Sequence, residues 1–118
     1  MINESAENYL ETILVLGQKH TEVRSVDIAN ELDFKKSSVS VAMKHLREKN
    51  YITVNDAGFI SLSVAGREIA ETIYERHQLL SSWLMRLGVD ENIALEDACK
   101  IEHILSKESF DAIKNHIG

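Results

Sequence analysis

Cys99, Glu102 and His103 stand at i, i+3 and i+4 in the run Glu96-Asp97-Ala98-Cys99-Lys100-Ile101-Glu102-His103. On a helix this spacing puts a thiol, a carboxylate and an imidazole on one face, a turn apart. Those are three kinds of ligand for a divalent transition metal. Asn8 and Glu11, also spaced i, i+3, add an amide oxygen and a carboxylate near the N-terminus, and His77 lies inside a long amphipathic segment. Taken singly these residues say less. His77 falls four residues after Ile73 and three before Leu80, the place of a hydrogen-bonded core histidine, and Cys99 alone would be a small core hydrophobe. Glu102 sharpens the case, because it shares a stripe with Leu95 and Cys99, and a carboxylate on a buried face is costly unless paired or metal-bound. Asn8, Glu11, His77, Cys99, Glu102 and His103 are therefore the candidate ligands. His20, His45 and His116 are expected to face solvent.

The elements that must position these side chains follow from hydrophobic spacing. Residues 4–18 predict a helix with Tyr9, Ile13 and Leu16 on one stripe and Leu10 and Leu14 beside it, ended by Gly17 and the polar run at 18–22. Ser25 is expected to N-cap a short helix carrying Val26, Ile28, Ala29 and Leu32. After the connection Asp33-Phe34-Lys35-Lys36, a second helix is expected from Ser37 or Ser38, burying Val39, Ala42, Met43 and Leu46. Helix, short turn and helix have the dimensions of a helix-turn-helix. Tyr51–Val54 and Phe59–Leu62, split by Asn55-Asp56-Ala57-Gly58, predict a hairpin, and a hairpin directly after a recognition helix is a wing. Ser63 caps a long helix with the stripe Ile69, Ile73, Leu80, Leu84 and Leu87, stopped by Gly88. Asp90 then caps a helix over 91–105, and Ser106 a last one with Phe110, Ile113 and Ile117. The expected fold is mainly α, a winged helix-turn-helix over 1–66 followed by a helical metal-binding and dimerisation domain over 67–118.

A net charge of −6 argues against a nucleic-acid partner until it is divided along the chain. Residues 35–50 hold Lys35, Lys36, Lys44, Arg47 and Lys49 against Glu48 alone, whereas residues 1–18 hold three acids and no Lys or Arg. Local charge sets phosphate affinity, and the acidic ends suit a cation. Lys35, Lys36, Ser37, Ser38 and Ser40 sit at the helix end that a helix-turn-helix points into the major groove, where free N–H groups also favour phosphate. Lys44 and Arg47 are placed for the DNA backbone, and Asn55 marks the wing tip. No Arg, Asn or Gln occupies 37–43, so base readout is expected to rest on small side chains.

Composition bounds the remaining possibilities. One cysteine excludes an internal disulfide and fits a reducing cytoplasm, and the absence of proline among 118 residues suits a helical chain. No apolar run nears the roughly 18 residues needed to cross a bilayer, and the acidic N-terminal residues lack the basic start of a secretory signal. There is no His-Glu-x-x-His run and no nucleophile with an adjacent base, which argues against a metalloenzyme.

The order of elements, with Asn8-Tyr9-Leu10-Glu11, Arg76-His77-Gln78-Leu79-Leu80, Leu87-Gly88-Val89-Asp90 and Asp97 to His103, resembles the diphtheria toxin repressor family of iron-dependent repressors and manganese transport regulators. The resemblance covers nearly the whole chain. It implies an N-terminal winged helix, a helical dimerisation domain, and divalent metal at their junction that drives a homodimer onto operators of metal-uptake genes, repressing them. Glu11, His77, Glu102 and His103 match ligands of the manganese-type members. Cys99 matches the iron type, where the manganese type has Glu. Asn8 stands where manganese members carry Asp and iron members Met. Ser81 and Leu95 stand where the iron-type ancillary site has a carboxylate and a histidine, so the site is a hybrid. A thiolate favours Fe(II), Co(II), Ni(II) or Zn(II) over the harder Mn(II), and the oxygen donors favour the reverse. Fe(II) is expected ahead of Mn(II), with one or two ions per subunit, since Glu11 and Glu102 could each bridge. To Gly118 the sequence shows no counterpart of the SH3-like domain of the longer iron-type members. The competing reading is a winged-helix regulator that answers to another ligand or to redox at Cys99.

Overall fold

A computed structural model describes residues 3–117. The chain divides into two compact units, Met1–Glu71 and Thr72–Gly118. The fold class is the one expected: six described helices and one two-stranded antiparallel sheet.

In the first unit, α1 (Glu4–Lys19), α2 (Ser25–Leu32) and α3 (Lys36–Glu48) precede β1 (Ile52–Val54) and β2 (Ile60–Leu62). Asn3 caps α1, its Oδ1 accepting from Ala6 N at 2.8 Å, and Glu4 and Glu7 in the first turn complement the helix dipole. The apolar face of α1 buries Leu10, Ile13, Leu14 and Leu16, and Ile28, Ala29, Val39, Met43, Leu46, Ile52 and Ile60 complete the core.

Several helix ends differ from the sequence expectation. The N-cap of α2 is Arg24, not Ser25, which is the first helical residue. Asp27 explains this: its Oδ2 accepts from Arg24 N at 2.9 Å, the half of a capping box that does not need an acceptor on the cap residue. α3 starts at Lys36 with Lys35 as cap, so Ser37 and Ser38 lie inside the first turn instead of capping it. Asp33 in the left-handed region (φ 56°) turns the chain early, and Phe34 N closes onto Ala29 O at 3.0 Å. At the other end of α3, Asn50 adopts φ 65° and Tyr51 N reaches back to Leu46 O at 3.0 Å, a Schellman closure with Asn in place of Gly.

The hairpin pairs Ile52 with Leu62 and Val54 with Ile60, each strand one residue shorter than expected. Asn55 Oδ1 accepts from Ala57 N and Phe59 N at 3.0 and 2.9 Å, which folds the tip and diverts the Phe59 N–H to a side chain, while the Phe59 carbonyl still accepts from Asn55 N at 3.1 Å. Ile60 N also donates to Val23 O at 2.7 Å, so β2 is flanked on its other side by the segment before α2.

α4 (Val64–Arg86) begins in the first unit and ends in the second. Ser63 caps it as expected, its Oγ accepting from Gly66 N at 3.1 Å. In the second unit, Gly88 at φ 99° stops α4, with Val89 N bonded to Leu84 O at 3.0 Å. Asp90 caps α5 (Glu91–Ile101) through Asn92 N, and Ser106 Oγ accepts from Ser109 N at the start of α6 (Lys107–Ile117). α5 ends at Ile101, not at 105. Ile104 N takes Ile101 O at 3.0 Å and draws residues 102–104 into a turn. The small core of this unit holds Ile73, Leu80, Ala94, Ala98 and Phe110. Leu95, expected on a buried stripe, is 37% exposed because α5 turns its alanines inward, and Leu87, expected on the stripe of α4, lies past the last residue of that helix and is 64% exposed.

Candidate metal centre and nucleic-acid interface

In the second unit the chain brings together His77 from α4 and Glu102 and His103 from the turn after α5. Glu102 is fully buried. His77 Nδ1 lies 2.9 Å from Glu102 Oε2, and His103 Nε2 lies 3.4 Å from Glu102 Oε1 with its side chain only 2% exposed. Despite that proximity Oε1 has no hydrogen bond. A buried carboxylate oxygen without a donor is costly, and a cation is the partner that removes the cost. Two imidazoles and a carboxylate are a ligand set for a first-row divalent ion. The residues present fit a metal.

The expected sharing of one helical face by Cys99, Glu102 and His103 needs correction. Cys99 is on α5 and exposed, whereas Glu102 and His103 follow the end of that helix and face inward. The buried line of α5 is Ala94, Ala98 and the cap Glu102, not Leu95, Cys99 and Glu102. Asn8 and Glu11 are half-buried a turn apart on α1, and the Asn8 carbonyl accepts from Thr12 Oγ1 at 2.8 Å. His20, His45 and His116 face solvent as expected.

One residue near the ligands has no role assigned by the sequence reading beyond its place in the motif Arg76–Leu80. Arg76 is 9% exposed; its Nη1 donates to the carbonyls of Glu102 (3.0 Å) and Leu105 (2.7 Å), and its guanidinium lies 5.2 Å from the Phe110 ring centroid. The signal was available, since Arg76 lies three residues after Ile73 and four before Leu80, on the core stripe.

Lys35, Lys36, Ser37, Ser38, Ser40, Lys44 and Arg47 are all exposed on or beside α3, while Val39, Met43 and Leu46 anchor its other face. No side chain caps the first turn of α3, so its leading N–H groups have no side-chain acceptor. Ser37, Ser38 and Ser40 thus present hydroxyls beside open N–H groups, a surface suited to phosphate and base edges. Asn55 is exposed at the wing tip, but its Oδ1 is committed to the turn, which leaves its amide nitrogen to reach outward. Arg24, not singled out in the sequence, lies 4.6 Å from the Phe59 ring centroid and ties the start of α2 to the wing.

Comparison with known proteins agrees with this architecture. Residues 1–58 match the iron dependent repressor N-terminal DNA binding domain, and residues 63–118 match the iron dependent repressor metal binding and dimerisation domain. An uncharacterised helix-turn-helix transcriptional regulator of Methanocaldococcus jannaschii is 33% identical over 96% of this chain and 92% of its own length. The transcriptional regulator MntR of Escherichia coli is 32% identical over 94% of this chain and 72% of its own. Among solved structures, IdeR of T. acidophilum superposes with a TM-score of 0.82 at 25% identity, over 95% of this chain and 53% of that one. A manganese-dependent transcriptional repressor in complex with manganese shares the fold, with a TM-score of 0.86 at 24% identity over 96% of this chain. This chain spans about half the length of those two repressors. The chain belongs to the iron-dependent repressor family, the diphtheria toxin repressor class of metal-dependent transcriptional repressors.

Proposed function

We propose that this protein is a homodimeric repressor that a divalent metal switches onto near-palindromic operators of metal-homeostasis genes. Residues 1–66 read DNA, and residues 67–118 bind metal and dimerise. The observation that carries the reading is the buried Glu102 carboxylate, flanked by His77 and His103, with Oε1 left without a hydrogen bond. Glu102, His77 and His103 are the central ligands, with Asn8 and Glu11 from α1 and the Cys99 thiol completing the set. The ion supplies positive charge that compensates the buried carboxylate. Fe(II) is favoured over Mn(II), because the imidazoles and the thiol are softer than an all-oxygen set.

On the DNA side, Lys35, Lys36, Lys44 and Arg47 hold phosphates, Ser37, Ser38 and Ser40 meet the major groove, and Asn55 touches the backbone from the wing. Leu87, Ile93, Leu95 and Ile104, apolar and exposed in the second unit, supply the dimer surface. The protein works by binding, not by catalysis, and among the described residues no helix is long and apolar enough to cross a membrane.

The decisive experiment is operator binding under anaerobic conditions with Fe(II), Mn(II), Zn(II), Co(II) or no metal. Binding that needs metal, with Fe(II) effective at the lowest concentration, is the expected result. Equal binding without metal would overturn the reading in favour of a regulator answering to another signal.

A further inference from the structure

Arg76 is buried, yet it forms no hydrogen bond to the carboxylate of Glu102 among the described contacts; its Nη1 donates to the backbone carbonyls of Glu102 and Leu105. Those carbonyls belong to the turn that carries Glu102 and His103 out of α5, where no further helical N–H is available to them. A guanidinium collecting two carbonyls at a helix C-terminus also meets the negative end of the dipole. Phe110 lies against its face, so one side chain links α4, the end of α5 and α6. Nε remains buried with no hydrogen bond. A cation buried with one N–H unsatisfied is retained only where its other contacts outweigh that cost. Because the guanidinium bonds main chain and not Oε1 or Oε2, it fixes the turn and leaves both carboxylate oxygens to other partners.

We propose that Arg76 is a positioning residue for the metal centre, holding the turn at 102–105 in its ligating conformation before metal arrives. The inference rests on the proposed ligand role of Glu102 and His103. A partner that orients ligands without touching the ion changes affinity by about 10- to 100-fold when removed.

The test titrates the full chain with Co(II), whose visible absorption reports coordination geometry, and follows amide exchange at 102–106 in the metal-free protein. Arg76→Gln should weaken Co(II) binding about 10- to 100-fold, alter the Co(II) spectrum and speed exchange at the turn, with helical content retained. Arg76→Lys, which keeps a charged donor, should recover part of the affinity. Wild-type affinity and spectrum in Arg76→Gln would overturn the proposal. Should Arg76→Gln fail to fold, exchange in the wild-type protein decides: a turn already protected without metal supports pre-positioning, and protection gained only with Co(II) overturns it. Glu102→Gln is the control on the site itself. If it bound Co(II) as tightly as wild type, the ligand assignment would fall, and with it this proposal, whereas a failure of Arg76→Gln alone would leave that assignment standing.

Discussion

Nδ1 of His77 and Oε2 of Glu102 are 2.9 Å apart, although 25 residues separate them in the chain. The pair joins the middle of a long helix to a turn that follows the next one, and it places an imidazole against a carboxylate with no exposed surface. If His77 donates from Nδ1, Glu102 fixes its tautomer and orients the ring, a common support for a metal-binding histidine.

Glu102→Gln and His103→Ala should abolish metal-activated operator binding and leave helical content nearly unchanged, because the fold rests on the apolar residues around them. Metal should also stop stabilising these variants. At a free metal concentration 100 times Kd a bound ion adds about 2.7 kcal/mol, which thermal denaturation with and without metal detects. A wild-type shift in either variant would remove that residue from the site.

Cys99→Glu exchanges a soft donor for a hard one and should move activation towards Mn(II), with Asn8→Asp tightening hard-cation binding further. Operator binding titrated with Mn(II), Fe(II) and Co(II) gives the ranking. Cys99 is exposed on α5, so this variant also asks whether the thiol reaches the ion at all. An unchanged ranking would take it out of the ligand set and withdraw the main support for iron.

Along α3, Lys36→Ala and Lys44→Ala should weaken binding to all DNA sequences, each lowering the salt slope by about one ion. Ser37→Ala and Ser40→Ala should change sequence preference more than slope. Binding isotherms at several salt concentrations separate the two effects, and no change in any of the four variants would move the DNA surface elsewhere.

Gly66→Ala should destabilise the first unit. A Cβ at position 66 would overlap the carbonyl oxygen of Tyr51, which also accepts from Ser63 N at 3.0 Å. Backbone must move to admit it, and overpacking of this kind costs about 1–3 kcal/mol. Urea unfolding of Gly66→Ala beside wild type measures the loss; equal midpoints would show that the start of α4 yields freely.

Sedimentation at micromolar protein should find a dimer, and the preferred operator should be a near-palindrome, since a two-fold dimer presents two equivalent recognition helices. Leu95→Glu and Ile104→Glu, at exposed apolar positions, should shift the protein towards monomer. A wild-type monomer with and without metal would contradict this.

Much of the molecule was legible from its residues because the determinants are local. Hydrophobic spacing located all six described helices, and Asp90, Ser106, Ser63 and Gly88 act at the termini where their chemistry places them. The basic run at 35–47 could be read against an acidic whole, since charge is additive along a sequence. Other features depend on partners distant in the chain. Ser25 is a better cap than Arg24 by type, but Asp27 turns back to Arg24 N and shifts the boundary. Periodicity ran α5 on to 105, and it could not register that residues 102–104 leave the helix while Arg76, 26 residues earlier, gathers the carbonyl of Glu102. For the same reason the face shared by Cys99, Glu102 and His103 on paper separates into an exposed thiol and two inward-facing groups. Residue type and spacing thus determined which side chains can ligate a metal and which helix can read DNA. Only the tertiary structure decided which of them are buried against one another, because burial is set by what packs on a face and not by the face's own sequence.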